Sequence, residues 1–369
     1  MKVPFNDLKT QNDFIKSDLE EAFKRTVENS TFILGPEVRL FEKEYAKFNQ
    51  TKEAVGVSSG LDALVLCLQA LEIGLGDEVI VPSNTYIASV FAITKVGATP
   101  IFVEPNKETY NLDATKIEQA ISSRTKAIMP VHLYGQACEM TEISRIAKQH
   151  KLFVVEDNAQ AQGAFFDGKI TGSWGDINAT SFYPGKNIGA LGDAGGITSN
   201  DTALVQKVKT LRNYGSNEKY VNEIVGNSNR MDTMQAAFLS VKLKSLNSWN
   251  ALRKSAAALY LENLKEINGL VLPKTHPKAS HVYHLFVVRT AKRDALQAHL
   301  KTDGVDTLIH YPIPPHLQQA YEHLRYAEGD FPIAEELART CLSLPMFPGI
   351  TKSQINHVSN SIKKFFELG

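Results

Sequence analysis

LFVVEDNAQ, residues 152–160, is the stretch on which the fold turns. An unbroken apolar run ends in two acids, Glu156 and Asp157, followed by small and amide side chains. Such a run suits a strand covered on both faces, as in a parallel sheet. An acid at the end of that strand lies in the crevice where open α/β sheets collect ligands. On position alone it suits a helix cap or an ion pair equally well.

The same rhythm extends outward. Short apolar runs at 54–58, 78–81, 100–103 and 126–131 alternate with helical patterns at 61–71, 87–96, 112–121 and 140–150. Alternation of this kind predicts βαβ units and a mostly parallel central sheet. Residues 231–267 read as one long helix, with room for a break, that joins two domains. A strand at 283–289 and helices near 293–302 and 333–340 complete a smaller unit. The expected organisation is α/β: a large domain over 1–250 that includes the N-terminal segment, and a small α+β C-terminal domain over 251–369.

Composition narrows the class. The 369 residues carry 40 basic and 40 acidic side chains, so nothing marks a nucleic-acid or membrane binder. No apolar run approaches the length of a membrane span, and the N-terminus lacks the apolar core of a signal peptide. Cys67, Cys138 and Cys341 stand far apart, which fits free thiols in a cytoplasmic protein and no metal cluster.

Two further segments carry candidate chemistry. Residues 180–196, TSFYPGKNIGALGDAGG, hold Lys186 in a tight loop between Pro184-Gly185 and a glycine-rich stretch. A loop lysine by itself is normally a solvated charge, and the glycines equally suit a plain hairpin. The segment does not fit a P-loop, because Asn187 follows the lysine, nor a dinucleotide fingerprint, because it opens no helix after a first strand. Residues 57–63, VSSGLDA, run from a strand into a small-residue turn, where free N–H groups and the helix dipole favour an anion. An ordinary N-cap explains that turn as well. Together, an anion turn, a strand-end acid and a loop lysine meet the needs of pyridoxal phosphate: its phosphate, its pyridine nitrogen and its aldehyde. Tyr86, just after the 78–81 run, suits a face of the ring or an ordinary core position.

These motifs resemble the DegT/StrS-type sugar aminotransferases, which have the fold-type-I pyridoxal-phosphate architecture. The resemblance runs through PFNDL (4–8), FILGPEV (32–38), SSGLDAL (58–64), VHLYGQ (131–136), VVEDNAQAQGA (154–164), SFYPGKNIGALGDAGG (181–196) and RMDTMQAAFL (230–239). It implies that Lys186 carries the cofactor through its amine. It implies that Asp157 meets the pyridine nitrogen and Gln160 lies near the ring hydroxyl. Gly60, Leu61 and Ser181 then donate to the phosphate, and Tyr86 stacks on the ring. The family often has an asparagine, at the position of Ser228, that reaches the phosphate of a neighbouring subunit; here the segment reads GNSNR (226–230), and Asn229 is the candidate. The family also often has histidine where Gln162 stands. The resemblance further implies a homodimer with shared active sites.

LIHYPIPPHL (308–317) and HVYHLF (281–286) resemble the subgroup acting on dTDP-linked 3-keto-6-deoxyhexoses. That makes His310, Tyr311 and Tyr183 candidates for the sugar, and leaves His132 as core or active-site lining. The implied reaction has two halves. L-glutamate gives its amino group to the cofactor and leaves as 2-oxoglutarate, and the dTDP-keto sugar then takes that nitrogen at C3. Lys186 moves the proton between the donor α-carbon and the cofactor. No arginine stands out for the donor carboxylate. The product would be a dTDP-3-amino-3,6-dideoxyhexose, a deoxyamino sugar of the kind built into lipopolysaccharide O-antigens or S-layer glycans. Amination at C4 is the main rival. A sugar dehydratase of the same fold commonly has histidine in place of the lysine, and a retired binding protein would have lost the lysine or the acid; this chain retains both.

Overall fold

The computed structural model of the protein describes residues 1–368. Eleven strands are present among them: β1 (Glu53–Val57), β2 (Glu78–Pro82), β3 (Thr99–Val103), β4 (Thr125–Ile128), β5 (Phe153–Asp157), β6 (Phe165–Phe166), β7 (Lys169–Ile170), β8 (Ile177–Ser181), β9 (Gly195–Ser199), β10 (Phe286–Arg289) and β11 (Cys341–Leu344). Seven form one sheet in the order β1-β9-β8-β5-β4-β2-β3. β9 pairs antiparallel with both neighbours, while the pairs from β8 to β3 are parallel. The sheet is therefore mostly parallel, as the alternating pattern predicts, and the carboxyl ends of β2, β5 and β8 share one edge.

Each face of the sheet has its own apolar core. Val79, Val81 and Val155 pack on one side with the helices Gly60–Ala70, Ile87–Lys95 and Thr202–Leu211. Ile80, Ile128 and Val154 pack on the other with the helix Met140–His150. Neighbouring strand residues point to opposite faces, so Asp157 shares the side of Val155, and Glu156 that of Val154. A third core gathers Phe286, Val288, Leu342 and Leu344 of the β10–β11 pair with the helices Leu246–Leu264, Arg293–Thr302 and Lys352–Leu368. Val3 joins it and forms a bridge with Val305.

Three expected elements differ in detail. Residues 112–121 form two 3₁₀ turns, Ala114–Lys116 and Glu118–Ala120, rather than a helix. The buried Ala114 and Ile117 are three residues apart, which suits the 3₁₀ repeat. The 231–267 pattern divides into Thr233–Leu243 and Leu246–Leu264. Ser248 Oγ donates to the Ser245 carbonyl at 2.7 Å, the kind of local bond with which serine competes for the backbone. The C-terminal strand begins at Phe286 rather than 283, because Tyr283 has φ 47° and cannot lie in a ladder. Helices Lys16–Asn29 and Pro36–Phe48, which the sequence pattern did not single out, pack against Thr233–Leu243.

Candidate active site

The turn after β1 builds an anion cradle. Ser59 caps the helix Gly60–Ala70, its Oγ accepting the Asp62 N–H at 3.1 Å. Asp62 in turn accepts Ser58 Oγ at 2.6 Å and Ser59 Oγ at 2.8 Å, which fixes the turn. The N–H groups of Gly60 and Leu61 are left without an acceptor among the described residues and carry the positive end of the helix. A Cβ at Gly60 would stand 2.5 Å from Ser181 Cβ, and one at Gly195 would stand 2.2 Å from the Ser59 carbonyl oxygen. Only glycine lets the ends of β8 and β9 close on this turn, and Ser181 thereby lies against Gly60.

The two acids of β5 have separate fates. Glu156 is fully buried; it meets His132 Nε2 at 2.7 Å and accepts the N–H groups of Gly172, Trp174 and Gly175 at 2.8, 2.6 and 2.9 Å. Burial pushes its carboxyl up, but His132 and these donors outweigh burial and hold it below the usual range. His132 Nδ1 accepts the Cys138 N–H at 3.0 Å, so its proton sits on Nε2 and the ring is core scaffolding. Asp157 faces the site: Oδ2 accepts Ser89 Oγ at 2.8 Å and Oδ1 accepts the Ala159 N–H at 3.1 Å.

Lys186 is half-buried in the loop after β8, its N–H donating to the Tyr183 carbonyl at 2.9 Å. Burial lowers its amine to about 8, against the pull of the nearby Asp157 carboxylate. The lysine and the acid thus share one electrostatic environment. Gln160 is buried beside them, its Oε1 accepting the Tyr134 N–H at 2.6 Å and its Nε2 donating to Tyr311 Oη at 3.1 Å. The Tyr311 ring lies 5.1 Å from the half-exposed ring of Tyr86. His310 stacks on Phe5 at 5.7 Å and shares a 2.8 Å bond between Nδ1 and Ser343 Oγ, while its carbonyl accepts Tyr134 Oη. Burial, together with the Lys186 charge, lowers His310 to about 4, so the ring is neutral.

The remaining candidates lie around this cluster. Tyr183 is 59% exposed, open to a large ligand. Asn229 lies next to the cradle, its carbonyl accepting the Ser58 N–H at 3.1 Å. Asn227 bonds Gln69 and Ser228 bonds Arg230, whereas the Asn229 side chain makes no hydrogen bond among the described residues. Two neighbours were not anticipated. Ser89, one helical turn beyond Tyr86, anchors Asp157. His284, within the HVYHLF motif, is lowered well below its ordinary value by burial and by Lys186. A serine on an apolar helix gave no sequence signal.

The free donors of the cradle, the buried acid and the lowered amine fit the phosphate, ring nitrogen and aldehyde of pyridoxal phosphate. No group of His, Cys, Asp and Glu able to hold a metal ion occurs among the described residues, and no helix there is long and apolar enough to cross a membrane.

Residues 13–363 match the DegT/DnrJ/EryC1/StrS aminotransferase family. The chain is 49% identical over 364 residues to the dTDP-3-amino-3,6-dideoxy-alpha-D-galactopyranose transaminase of Aneurinibacillus thermoaerophilus, covering 98% of this chain and 99% of that protein. It is 45% identical over 366 residues to the dTDP-3-amino-3,4,6-trideoxy-alpha-D-glucose transaminase of Streptomyces venezuelae, covering 99% and 97%. The X-ray structure of S. venezuelae DesV in complex with a ketimine intermediate superposes with a TM-score of 0.98 at 46% identity, over 99% of each chain.

Proposed function

Since the chain belongs to the DegT/DnrJ/EryC1/StrS aminotransferase family and uses pyridoxal phosphate, we propose that it moves an amino group from L-glutamate to C3 of a dTDP-linked 3-keto-6-deoxyhexose. The observation that carries the site assignment is the close Gly60–Ser181 contact at the helix N-terminus together with Asp157 at the end of β5, whose carboxylate acts on the nearby Lys186 amine. The names of the two transaminases above support the dTDP sugar and C3.

Bound pyridoxal phosphate supplies an aldehyde for amine exchange and a ring that takes up carbanion electrons. The residues do the rest. Gly60, Leu61 and Ser181 would hold its phosphate, and in a homodimer the Asn229 side chain would reach across to the phosphate held by the partner subunit, as the family resemblance implies. Asp157 keeps a proton on the ring nitrogen, with Ser89 fixing the carboxylate. Gln160 would lie by the ring hydroxyl, and Tyr86 would cover a ring face. Lys186 would hold the cofactor through its amine and, once free, would carry the proton between the donor α-carbon and the cofactor's aldehyde carbon, across the transferred nitrogen. Its lowered value leaves a useful neutral fraction near neutral pH, which an ordinary lysine lacks. In the second half the same amine would carry the proton in reverse and deliver it to sugar C3. Tyr183, His310 and Tyr311 bound the sugar.

The separate core around β10 and β11 supports a second, smaller domain, but residue 250 lies inside the helix Leu246–Leu264 and Val3 packs into that second core, so the boundary does not fall at 250 and the N-terminal residues do not belong to the large domain alone. Exposed Phe23, Phe32 and Ile33 on the N-terminal segments support a dimer contact. A cytoplasmic location follows from the dTDP-sugar substrate, and the amino sugar would supply a lipopolysaccharide O-antigen or an S-layer glycan. The test is direct: incubate the protein with pyridoxal phosphate, L-glutamate and a panel of dTDP-3-keto and dTDP-4-keto sugars, and locate the new C–N bond by NMR. Nitrogen at C3 is expected; nitrogen at C4, or no product, would refute the reading.

A further inference from the structure

Behind the site, three buried amides link the lysine loop to the acid. Asn187, next to Lys186, donates from Nδ2 to Asn250 Oδ1 at 2.8 Å and to the Val282 carbonyl at 3.1 Å. Asn250 Nδ2 donates to the Gln162 carbonyl at 2.9 Å. Gln162 Nε2 donates to the Ala159 carbonyl at 3.1 Å, to Thr180 Oγ1 at 3.0 Å and to the Ser181 carbonyl at 3.0 Å. The Ala159 N–H then donates to Asp157 Oδ1 at 3.1 Å. One continuous path of hydrogen bonds therefore runs from the residue after Lys186 to the carboxylate of Asp157, with a branch to Ser181.

All three amides are at least nine-tenths buried, and Asn187 Oδ1 and Gln162 Oε1 have no partner. A buried polar atom without a partner lowers stability, so apolar side chains would pack this position at less cost. What amides add is direction: each fixes the distance between two segments remote in sequence. Asn250 stands at the centre, on the helix Leu246–Leu264, and bonds both the lysine loop and the acid turn.

We propose that Asn250 is a positioning residue that sets the separation of the Lys186 amine from the Asp157 carboxylate, acting through Asn187 on one side and Gln162 on the other. The inference rests on the roles given above to Lys186 and Asp157. Proton transfer by Lys186 depends steeply on its placement over the reacting carbon, and a small shift of the loop slows the chemistry while leaving sugar contacts in place. Loss of the tie also alters how closely the amine approaches the acid, and hence its titration.

The experiment compares Asn250→Ala, Asn187→Ala and the double variant as cofactor-loaded enzymes, with Lys186→Ala beside them. Three quantities are read: thermal midpoint, the pH midpoint of the bound cofactor's visible band, and kcat and KM for the sugar. The expected result is a band retained in all but Lys186→Ala, with a displaced pH midpoint in Asn250→Ala and Asn187→Ala. Their kcat falls on the order of tenfold while KM stays within about threefold. The double variant is no worse than the poorer single one, because both break one path. If the variants lose thermal stability but keep the wild-type pH midpoint and kcat, the amides are structural only and the proposal is overturned. If Asn250→Ala does not fold, Asn187→Ala decides by the same criteria. A band retained in Lys186→Ala would instead overturn the site assignment itself.

Discussion

Gly60→Ala tests the phosphate cradle with the smallest possible change. The added Cβ would stand 2.5 Å from Ser181 Cβ and 3.0 Å from Ser181 Cα and Oγ. Carbon atoms in contact sit about 3.5–4.0 Å apart, so the helix N-terminus and the end of β8 must separate by ~1 Å. Ser181 Cα is backbone in the sheet, so the strain cannot be relieved by a side-chain rotation. A shift of ~1 Å takes an N–H···O bond of about 2.9 Å beyond the range in which it counts as one. Gly60 and Leu61 would each lose most of a hydrogen bond to a charged group, at roughly 1.5–3 kcal/mol apiece. The sum, about 3–6 kcal/mol, corresponds to a cofactor Kd weakened on the order of 10²–10⁴-fold. The assay is titration of apo-protein with pyridoxal phosphate, followed by absorbance. Gly74→Ala is the control, since its Cβ would meet nothing nearer than the Val96 carbonyl oxygen at 3.4 Å. Affinity of Gly60→Ala within about threefold of wild type would refute the cradle.

Three further outcomes are expected. Capture of pyridoxal phosphate by apo-protein needs the neutral amine, so its rate should rise as pH passes about 8, the lowered value of Lys186; a rise centred near that of an ordinary lysine would contradict the burial argument. Glu156→Gln should destabilise the fold by about 2–6 kcal/mol in denaturant titration, because one amide oxygen accepts from only two of the four donors, His132 and three N–H groups, and leaves two unsatisfied at roughly 1–3 kcal/mol each; a change under about 1 kcal/mol would show the cluster to be incidental. The sign with pH follows: the folded value of Glu156 is depressed, so its contribution is present above the unfolded carboxylate value and is lost as pH falls through the folded one. Tyr311→Phe frees the Gln160 amide and should raise KM for the sugar about tenfold; unchanged KM and kcat would remove Tyr311 from the site.

Much of this arrangement is legible in the sequence. The alternation of runs and helical patterns predicts the parallel sheet, and the segment 140–150 is a helix over those same residues. The ED-x-AQ and PGKN motifs single out Asp157 and Lys186 although 28 intervening residues hide their proximity. Which of the two adjacent acids faces the ligand was not legible from the strand alone. The alternation of β5 sends Glu156 and Asp157 to opposite faces, and only the packing of the 172–175 turn under Glu156 shows that it is scaffolding. Ser89 and Asn250 escaped notice for a related reason. Ser89 acts through a hydrogen bond to Asp157 and Asn250 through bonds to Asn187 and Gln162, all distant in sequence, and a lone serine or asparagine on a helix has no periodic or spacing signature.

One particular amine, that of Lys186, carries the cofactor in this proposal. Reduction of the loaded enzyme with borohydride makes that bond permanent, and proteolysis with mass spectrometry then identifies the lysine that holds it. The pyridoxyl group is expected on Lys186 and on no other lysine. A label on any other lysine, or an active enzyme from which reduction yields no labelled peptide, would contradict it.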